Sequence, residues 1–495
     1  MSASAEKPQG FSALARHLVS YTALTLVTRA LSFLLLPVYT RVMTPADYGI
    51  LQLIEMTTDV AGIALVAGTT AGFQRFFLGA ESQSERSVVV ASTIGLLLAQ
   101  AAVGGLALIV AAEPIARLVL KNANLAPLVV IAGVNFFVQA IPTVPLLLLQ
   151  TLQKVRVFSV LTFSKAILQA GINVALLLLA GLGVRAFLYS TLTANLLLGL
   201  VLAIWTFRHY RPTWDLTTFR RIMKFGAPYR ITTAGNFFLT FGDRFFLQAN
   251  HGPAVVGLYG LSYQFGFLVS QLGEQPFLNA WLPQRFRHAK DDPIERNRLN
   301  ALGALAFAIV LSTVAVGVAV SARPLVHLMT AASYADAALT VPVLAIAYVI
   351  ACLTNAWKFG IDFSLQTRFF TYATWISVAV MLLAYAVLIP PYGAMGAAVA
   401  TLIGFVARAI PTIIWAQRLF PLAYEWRRTA RLFAAAVTAS FLPSLLPVSG
   451  FAPMVAAAAL TFSLYVTAVW FIVLDESNRQ AVQALVGSSW QRWRA

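Results

Sequence analysis

A chain of 495 residues that is 59% hydrophobic and only 11% charged is too apolar for a soluble fold, in which roughly a quarter of residues carry charge. Its formal net charge of +17 is spread over short segments between long apolar runs, a pattern set by membrane topology, so no nucleic-acid partner is expected. Cys352 is the single cysteine, which excludes an internal disulfide and a cysteine-based metal site.

The apolar runs are about twice as long as barrel strands, and in lipid every backbone polar group must be satisfied within its own segment. They predict an all-α polytopic membrane protein of about 14 transmembrane helices. In chain order the spans are 18–43, 48–77, 87–111, 125–149, 157–180, 184–207, 222–249, 255–282, 299–321, 340–363, 370–389, 395–417, 432–446 and 454–474. The polar first 17 residues, with no A-x-A-like site after the first span, argue against a removable signal peptide. With both termini on one side, that side holds 24 Lys and Arg and the other holds five, so both termini are expected in the cytoplasm.

The halves repeat. Thr44-Pro-Ala-Asp-Tyr-Gly-Ile-Leu51 aligns with Gly252-Pro-Ala-Val-Val-Gly-Leu-Tyr259 at an offset of 208, and residues 183–192 align with 393–402 at an offset of 210. Six spans separate the copies, an even number, which predicts two parallel six-helix lobes. The expected organisation is a cytoplasmic tail (1–17), an N-lobe (18–207), a cytoplasmic linker (208–221), a C-lobe (222–417), a C-terminal helix pair (418–474) and an amphipathic cytoplasmic tail (475–495).

Charges inside spans are costly and mark candidate sites. Arg29, Lys165 and Arg408 fall near the middle of spans one, five and twelve, where they either face a shared cavity or pair with acids. Glu55 and Asp59 lie one turn apart on one helix face, as a proton or sodium coupling site or as counter-ions for Arg29 or Arg244. Asp243 and Arg244, adjacent in span seven, point about 100° apart, so each is expected to need a partner on another helix, as in an interlobe pair closing an outer gate, or a watery cavity. Arg230 and Glu274 are candidates for the matching inner gate, and Lys358 with Asp362 for a local pair. The five histidines are scattered and no phosphate-binding loop occurs, so neither an enzyme nor a cofactor is expected; an ion gradient, the membrane potential or downhill substrate would supply the energy.

Leu36-Pro-Val-Tyr-Thr-Arg-Val-Met-Thr-Pro-Ala-Asp-Tyr-Gly49 resembles the first-loop signature of the bacterial polysaccharide-repeat flippases, in the superfamily that also holds drug/cation antiporters and the lipid II flippase. Asp243-Arg-Phe-Phe-Leu247, Val256-Gly-Leu-Tyr259, Ala280-Trp-Leu-Pro-Gln-Arg-Phe286 and Leu388-Ile-Pro-Pro-Tyr-Gly-Ala-Met-Gly-Ala-Ala398 are similar to second-half signatures. The resemblance implies export of undecaprenyl-pyrophosphate-linked oligosaccharides across a bacterial inner membrane, by alternating access of two lobes around a central cavity. Membrane lipids and other glycan-assembly proteins are the expected partners. On that reading Arg29, Lys165 and Arg408 would receive the pyrophosphate, since Arg engages phosphate oxygens in pairs and Lys acts as a point charge. In the lipid II flippase the C-terminal helix pair lines a groove for the lipid tail. A drug/cation antiporter would carry an acid-dominated cavity, whereas this one leans basic. A glycan polymerase or ligase would carry a large charged outer loop, and the outer loops here are short.

Overall fold

The computed structural model describes residues 35–289, 292–446, 448, 450–476 and 479–480. Arg29, the tail 1–17 and nearly all of the tail 475–495 lie outside them. The described residues form helices and no strands. Contacts divide the chain into two compact units, Met1–Gly257 and Leu258–Ala495.

The first unit contains α1 (Leu36–Val42), α2 (Pro45–Leu65), α3 (Thr69–Leu78), α4 (Gln83–Val110), α5 (Ala112–Leu118), α6 (Ala126–Val138), α7 (Ala140–Thr151), α8 (Val155–Leu178), α9 (Val184–His209) and α10 (Leu216–His251). It ends in the first turn of α11 (Pro253–Leu268). The second unit continues through a π-helical turn (Val269–Glu274) into α12 (Gln275–His288), α13 (Pro293–Met329), α14 (Ala337–Trp357), α15 (Phe359–Phe363), α16 (Arg368–Leu419), α17 (Trp426–Leu445) and α18 (Phe451–Ala468). The division falls one span later than the linker expected at 208–221, because α10 packs on α2, α3 and α4 of the first unit.

Among the described residues, eight helices are long and apolar enough to cross a membrane, and nine if the bent pair α2–α3 counts as one span. The 52-residue α16 holds spans eleven and twelve, joined at Gly393. The expected spans seven, eight and thirteen are present as α10, the α11–α12 pair and α17, and the end of the first is α1. This is a multi-pass, all-helical membrane protein. In lipid, helices gain little from burying apolar surface against one another and associate by close packing and interhelical hydrogen bonds. The alanine-rich α14 follows that logic: it is buried along nearly its whole length between α13 and α16. Asn135 on α6 donates to the Leu188 carbonyl on α9 at 2.9 Å, and Gln169 on α8 to the Thr191 hydroxyl on α9 at 2.9 Å. α17 packs a face containing Leu432, Ala436 and Ser440 on α13, whereas α18 leaves Leu460 and Leu464 exposed, and the π-helical turn after it leaves Phe471 exposed.

The repeated segments are the places where backbone geometry is most constrained. Thr44 caps α2 in a reciprocal box with Asp47, whose amide donates to the Thr44 hydroxyl at 3.2 Å while its carboxylate accepts from the Thr44 amide at 3.0 Å. Pro45 opens the helix where no amide proton is needed. In the second copy Gly252 takes the capping place at φ +81° and Pro253 again opens the helix. Four residues on, Gly49 and Gly257 let the two copies meet backbone to backbone. A Cβ on Gly49 would strike the Pro253 carbonyl, and one on Gly257 would strike the Pro45 carbonyl. Gly183 and Gly393, the first residues of the other repeat, adopt matching conformations (φ 52°, ψ −129° and φ 51°, ψ −129°) closed to a side chain.

Span two is not continuous. α2 and α3 meet at a 48° bend over residues 66–68, where Gly68 adopts φ +88° and its backbone touches Gly226 of α10. The start of α10 is pinned by Asp215, whose carboxylate accepts from the amides and hydroxyls of Thr217 and Thr218 and whose amide donates to the Ser92 hydroxyl at 3.1 Å. Those bonds, led by the Thr217 and Thr218 hydroxyls, hold the Asp215 carboxyl well below the usual carboxylate range. A depressed carboxylate keeps its contribution above its unfolded pKa and loses it only as pH falls through the lower folded value, so this cap survives mild acid.

Gly49→Ala and Gly257→Ala should each destabilise the first unit by about 1–3 kcal/mol, since the facing carbonyl is backbone and must move. Gly171→Ala, with open space around its Cα, should be neutral or slightly stabilising. Thermal midpoints of the three variants in detergent check this.

Candidate functional site

Glu55 and Asp59 lie on α2 with both side chains exposed, on one face one turn apart. The buried Tyr48 lies two turns before Glu55 and interacts electrostatically with both Glu55 and Arg244. Lys165 is half-buried on α8, and among the described residues its ammonium has no hydrogen bond or ion pair. The structure therefore leaves the two acids and this lysine accessible within the first unit.

Asp243 and Arg244 bond each other directly despite their divergent directions on the helix, and each has further interactions besides. Arg244 Nη1 donates to Asp243 Oδ1 at 2.7 Å and to the Thr240 carbonyl at 2.7 Å, with the guanidinium 5.2 Å from the centre of the Phe241 ring. The Cα directions do diverge, but the arginine stem is long enough to fold back along its own helix and join its neighbour. The side chains are 0% and 4% exposed, so the pair is neutralised where it is buried.

Arg230 also finds partners within its own unit. Its Nε donates to the Ala67 carbonyl at 3.3 Å and its Nη2 reaches the Leu65 carbonyl at 3.5 Å. These are carbonyls released where α2 stops, at the negative end of the helix dipole, so Arg230 caps the break in span two. Reading residues 48–77 as one unbroken span hid that demand. The signal available in the sequence was Gly68 between two threonines and an alanine, in a run otherwise helical.

In the second unit Glu274 closes the π-helical turn, a wide turn with one extra residue that often marks a functional position. It is 5% exposed and accepts from the Ser270 hydroxyl at 2.6 Å through one carboxylate oxygen and from the Asn355 amide at 2.7 Å through the other. Sequence reasoning missed Ser270 and Asn355. Gly273 and Pro276 around Glu274 were the available sign of an irregular turn, and Asn355 could not be assigned without the fold.

Arg408 on α16 is 8% exposed. Its guanidinium carbon lies 5.5 Å from the Phe405 ring centre and 5.7 Å from that of Phe370. Among the described residues the guanidinium makes no hydrogen bond or ion pair, and its Nε is buried without an acceptor. Glu274, Tyr263 and Tyr348 interact with it electrostatically without bonding it. Tyr263 packs edge-on to Tyr348 at 5.5 Å, and Tyr348 to Phe405 at 6.0 Å, so an aromatic wall adjoins the cation. Lys358 pairs with Asp362 at 3.2 Å, half-buried, and its ammonium lies 5.0 Å from the same Phe370 ring. The structure thus brings Arg408, Lys358 and Glu274 into one polar region of the second unit. Among the described residues no group of three His, Cys, Asp or Glu side chains could hold a metal ion.

Breaking a buried pair strands one charge, which costs about 3–5 kcal/mol. Asp243→Asn and Arg244→Gln should each lower the thermal midpoint sharply, and the double variant should lose less than the sum of the two. A double-mutant cycle measures the coupling, and additive losses would contradict the pairing.

The fold is similar to that of the lipid II flippase MurJ in an inward closed conformation (TM-score 0.69, 13% identity, covering 91% of this chain and 99% of that one). It is also similar to a multidrug resistance MATE family transporter of the MOP superfamily, inward-facing (TM-score 0.60, 16% identity, 79% of this chain and 94% of that one). The outward-facing form of a MATE family transporter of that superfamily gives TM-score 0.54 at 17% identity, over 81% of this chain and 95% of that one. A comparison with curated proteins finds no significant match. Residues 38–339, well over half the sequence, match the polysaccharide biosynthesis protein family, and the chain belongs to that family.

Proposed function

We propose that this protein flips an undecaprenyl-pyrophosphate-linked oligosaccharide from the cytoplasmic to the outer leaflet of a bacterial inner membrane by alternating access, with both termini in the cytoplasm. The observation that carries the reading is Arg408. A guanidinium held at 8% exposure in a membrane bundle, with Nε lacking an acceptor, calls for a partner of opposite charge. A pyrophosphate has the charge and the oxygens to complete it, and the aromatic wall beside it suits a sugar or an isoprenoid face. Lys165, also without a partner, is the matching cation of the first unit, and Arg29 is the third. Membership of the polysaccharide biosynthesis family and the flippase-like fold support the same cargo class.

The exposed acids Glu55 and Asp59 are the coupling site in this account, taking up protons or sodium on one side and releasing them on the other. They also favour a second reading, drug/cation antiport, for which acids rather than Arg408 would bind the cargo. Asp243 with Arg244 serves as the outer gate element and Glu274 with its Ser270 and Asn355 partners as the inner one. Other glycan-assembly proteins would deliver and collect the cargo.

Arg408→Ala should reduce flipping of a lipid-pyrophosphate oligosaccharide in proteoliposomes at least tenfold, with insertion unchanged and Arg408→Lys retaining part of the activity. Lys165→Ala should reduce it less, because that cation is more solvated. Wild-type rates in Arg408→Ala, or efflux of cationic drugs abolished only by Glu55→Gln with Asp59→Asn, would transfer the argument to antiport. In the flippase account that double acid variant instead flattens the dependence of flipping on pH or sodium.

A further inference from the structure

We infer that the basic end of the second unit carries a binding site for an anionic membrane phospholipid, separate from the Arg408 region. A cavity of about 350 Å³ opens there between α12, α13 and the segment after α16. Arg285, Arg296 and His288 line it, and among the described residues no acidic side chain does. Arg285 is fixed in place: it is sandwiched 4.4 Å from the Trp281 ring centre and 4.1 Å from that of Phe359. It donates to the Ala356 carbonyl and to Asn300 Oδ1, both at 2.7 Å. Arg296 lies over the Phe420 ring at 4.7 Å. The Nε groups of both arginines are buried and have no acceptor. Two undonated N–H groups, on guanidinium planes held against aromatic rings, suit the oxygens of a phosphate diester.

The other wall identifies the source of that phosphate. Leu299, Leu302, Gly303 and Ala306 follow Arg296 along α13 at helical spacing and line the same cavity. Leu299 is 37% and Leu302 42% exposed, an apolar strip open to its surroundings. Gly303 brings α13 against the Trp281 indole, where a Cβ would collide with it. The sequence places residues 293–298 before the span and 299–321 within it, so the cations stand at headgroup level and the strip runs into the hydrocarbon. A soluble phosphate would use the first half of the site only; an acyl chain explains both. Basic recesses between membrane helices on the positively charged side hold anionic headgroups in this way.

The test is native mass spectrometry of the full-length protein with added phosphatidylglycerol, phosphatidylcholine or inorganic phosphate. Phosphatidylglycerol should be retained about tenfold more tightly than phosphatidylcholine, and Arg296→Gln should remove most of that preference. Leu302→Asp should weaken phosphatidylglycerol without any Arg being changed. Arg298→Gln, which alters a 71% exposed arginine paired loosely with Glu295, should leave retention unchanged and controls for surface charge. Equal retention in Arg296→Gln, no preference over phosphatidylcholine, or displacement by equimolar inorganic phosphate would each overturn the lipid site. Thermal midpoints of Arg296→Gln and Leu302→Asp close to wild type ensure that the comparison is made on folded protein.

Discussion

A guanidinium inside a membrane bundle cannot be left to water, and how each one is satisfied organises this molecule. Arg244 folds back onto Asp243 and the Thr240 carbonyl of its own helix. Arg230 takes the carbonyls freed by the break between α2 and α3. Arg285 is bonded by a carbonyl and an asparagine between two aromatic rings. Arg408 alone of these four makes no hydrogen bond through its guanidinium among the described residues. Three of these arginines have hydrogen-bond acceptors within the protein, and the fourth has none among the described residues. That contrast, rather than the presence of charge as such, makes Arg408 the candidate for the cargo.

The second constraint is backbone proximity. The Thr-Pro-Ala-Asp-Tyr-Gly motif has a physical content at each place: a capping hydroxyl, a proline where no amide is needed, an acid that completes the cap, and a glycine where another helix start arrives. Its second copy replaces the threonine by a glycine of positive φ and keeps the proline and the close-contact glycine. The paired turns at Gly183 and Gly393 share their dihedral angles to within a degree, so the internal repeat extends from letters to geometry.

Much of the architecture was legible because lipid makes strict demands: long apolar runs must be helices, and among the described residues helices stand at the expected spans, the first being described only at its end. What could not be read depended on side-chain reach and on local irregularity. The direct pair between Asp243 and Arg244 was not legible, because helical angle says nothing about a flexible stem. The demand that Arg230 meets at the bend at residues 66–68 was hidden because a single glycine carries it. The division into compact units falls at Gly257 rather than in the expected linker because α10 packs on α2, α3 and α4, which no hydropathy pattern records. Ser270 and Asn355, eighty-odd residues apart, meet at Glu274 only once a π-helical turn has reset the face of the helix.

The central claim is that Arg408 is completed by the phosphates of the cargo. Equilibrium binding of a short-chain lipid pyrophosphate to the purified protein, compared between wild type and Arg408→Gln at two salt concentrations, tests it directly. Loss of one charge-assisted contact should weaken binding at least tenfold and reduce its salt dependence. Equal affinity and equal salt dependence in the two proteins would contradict it.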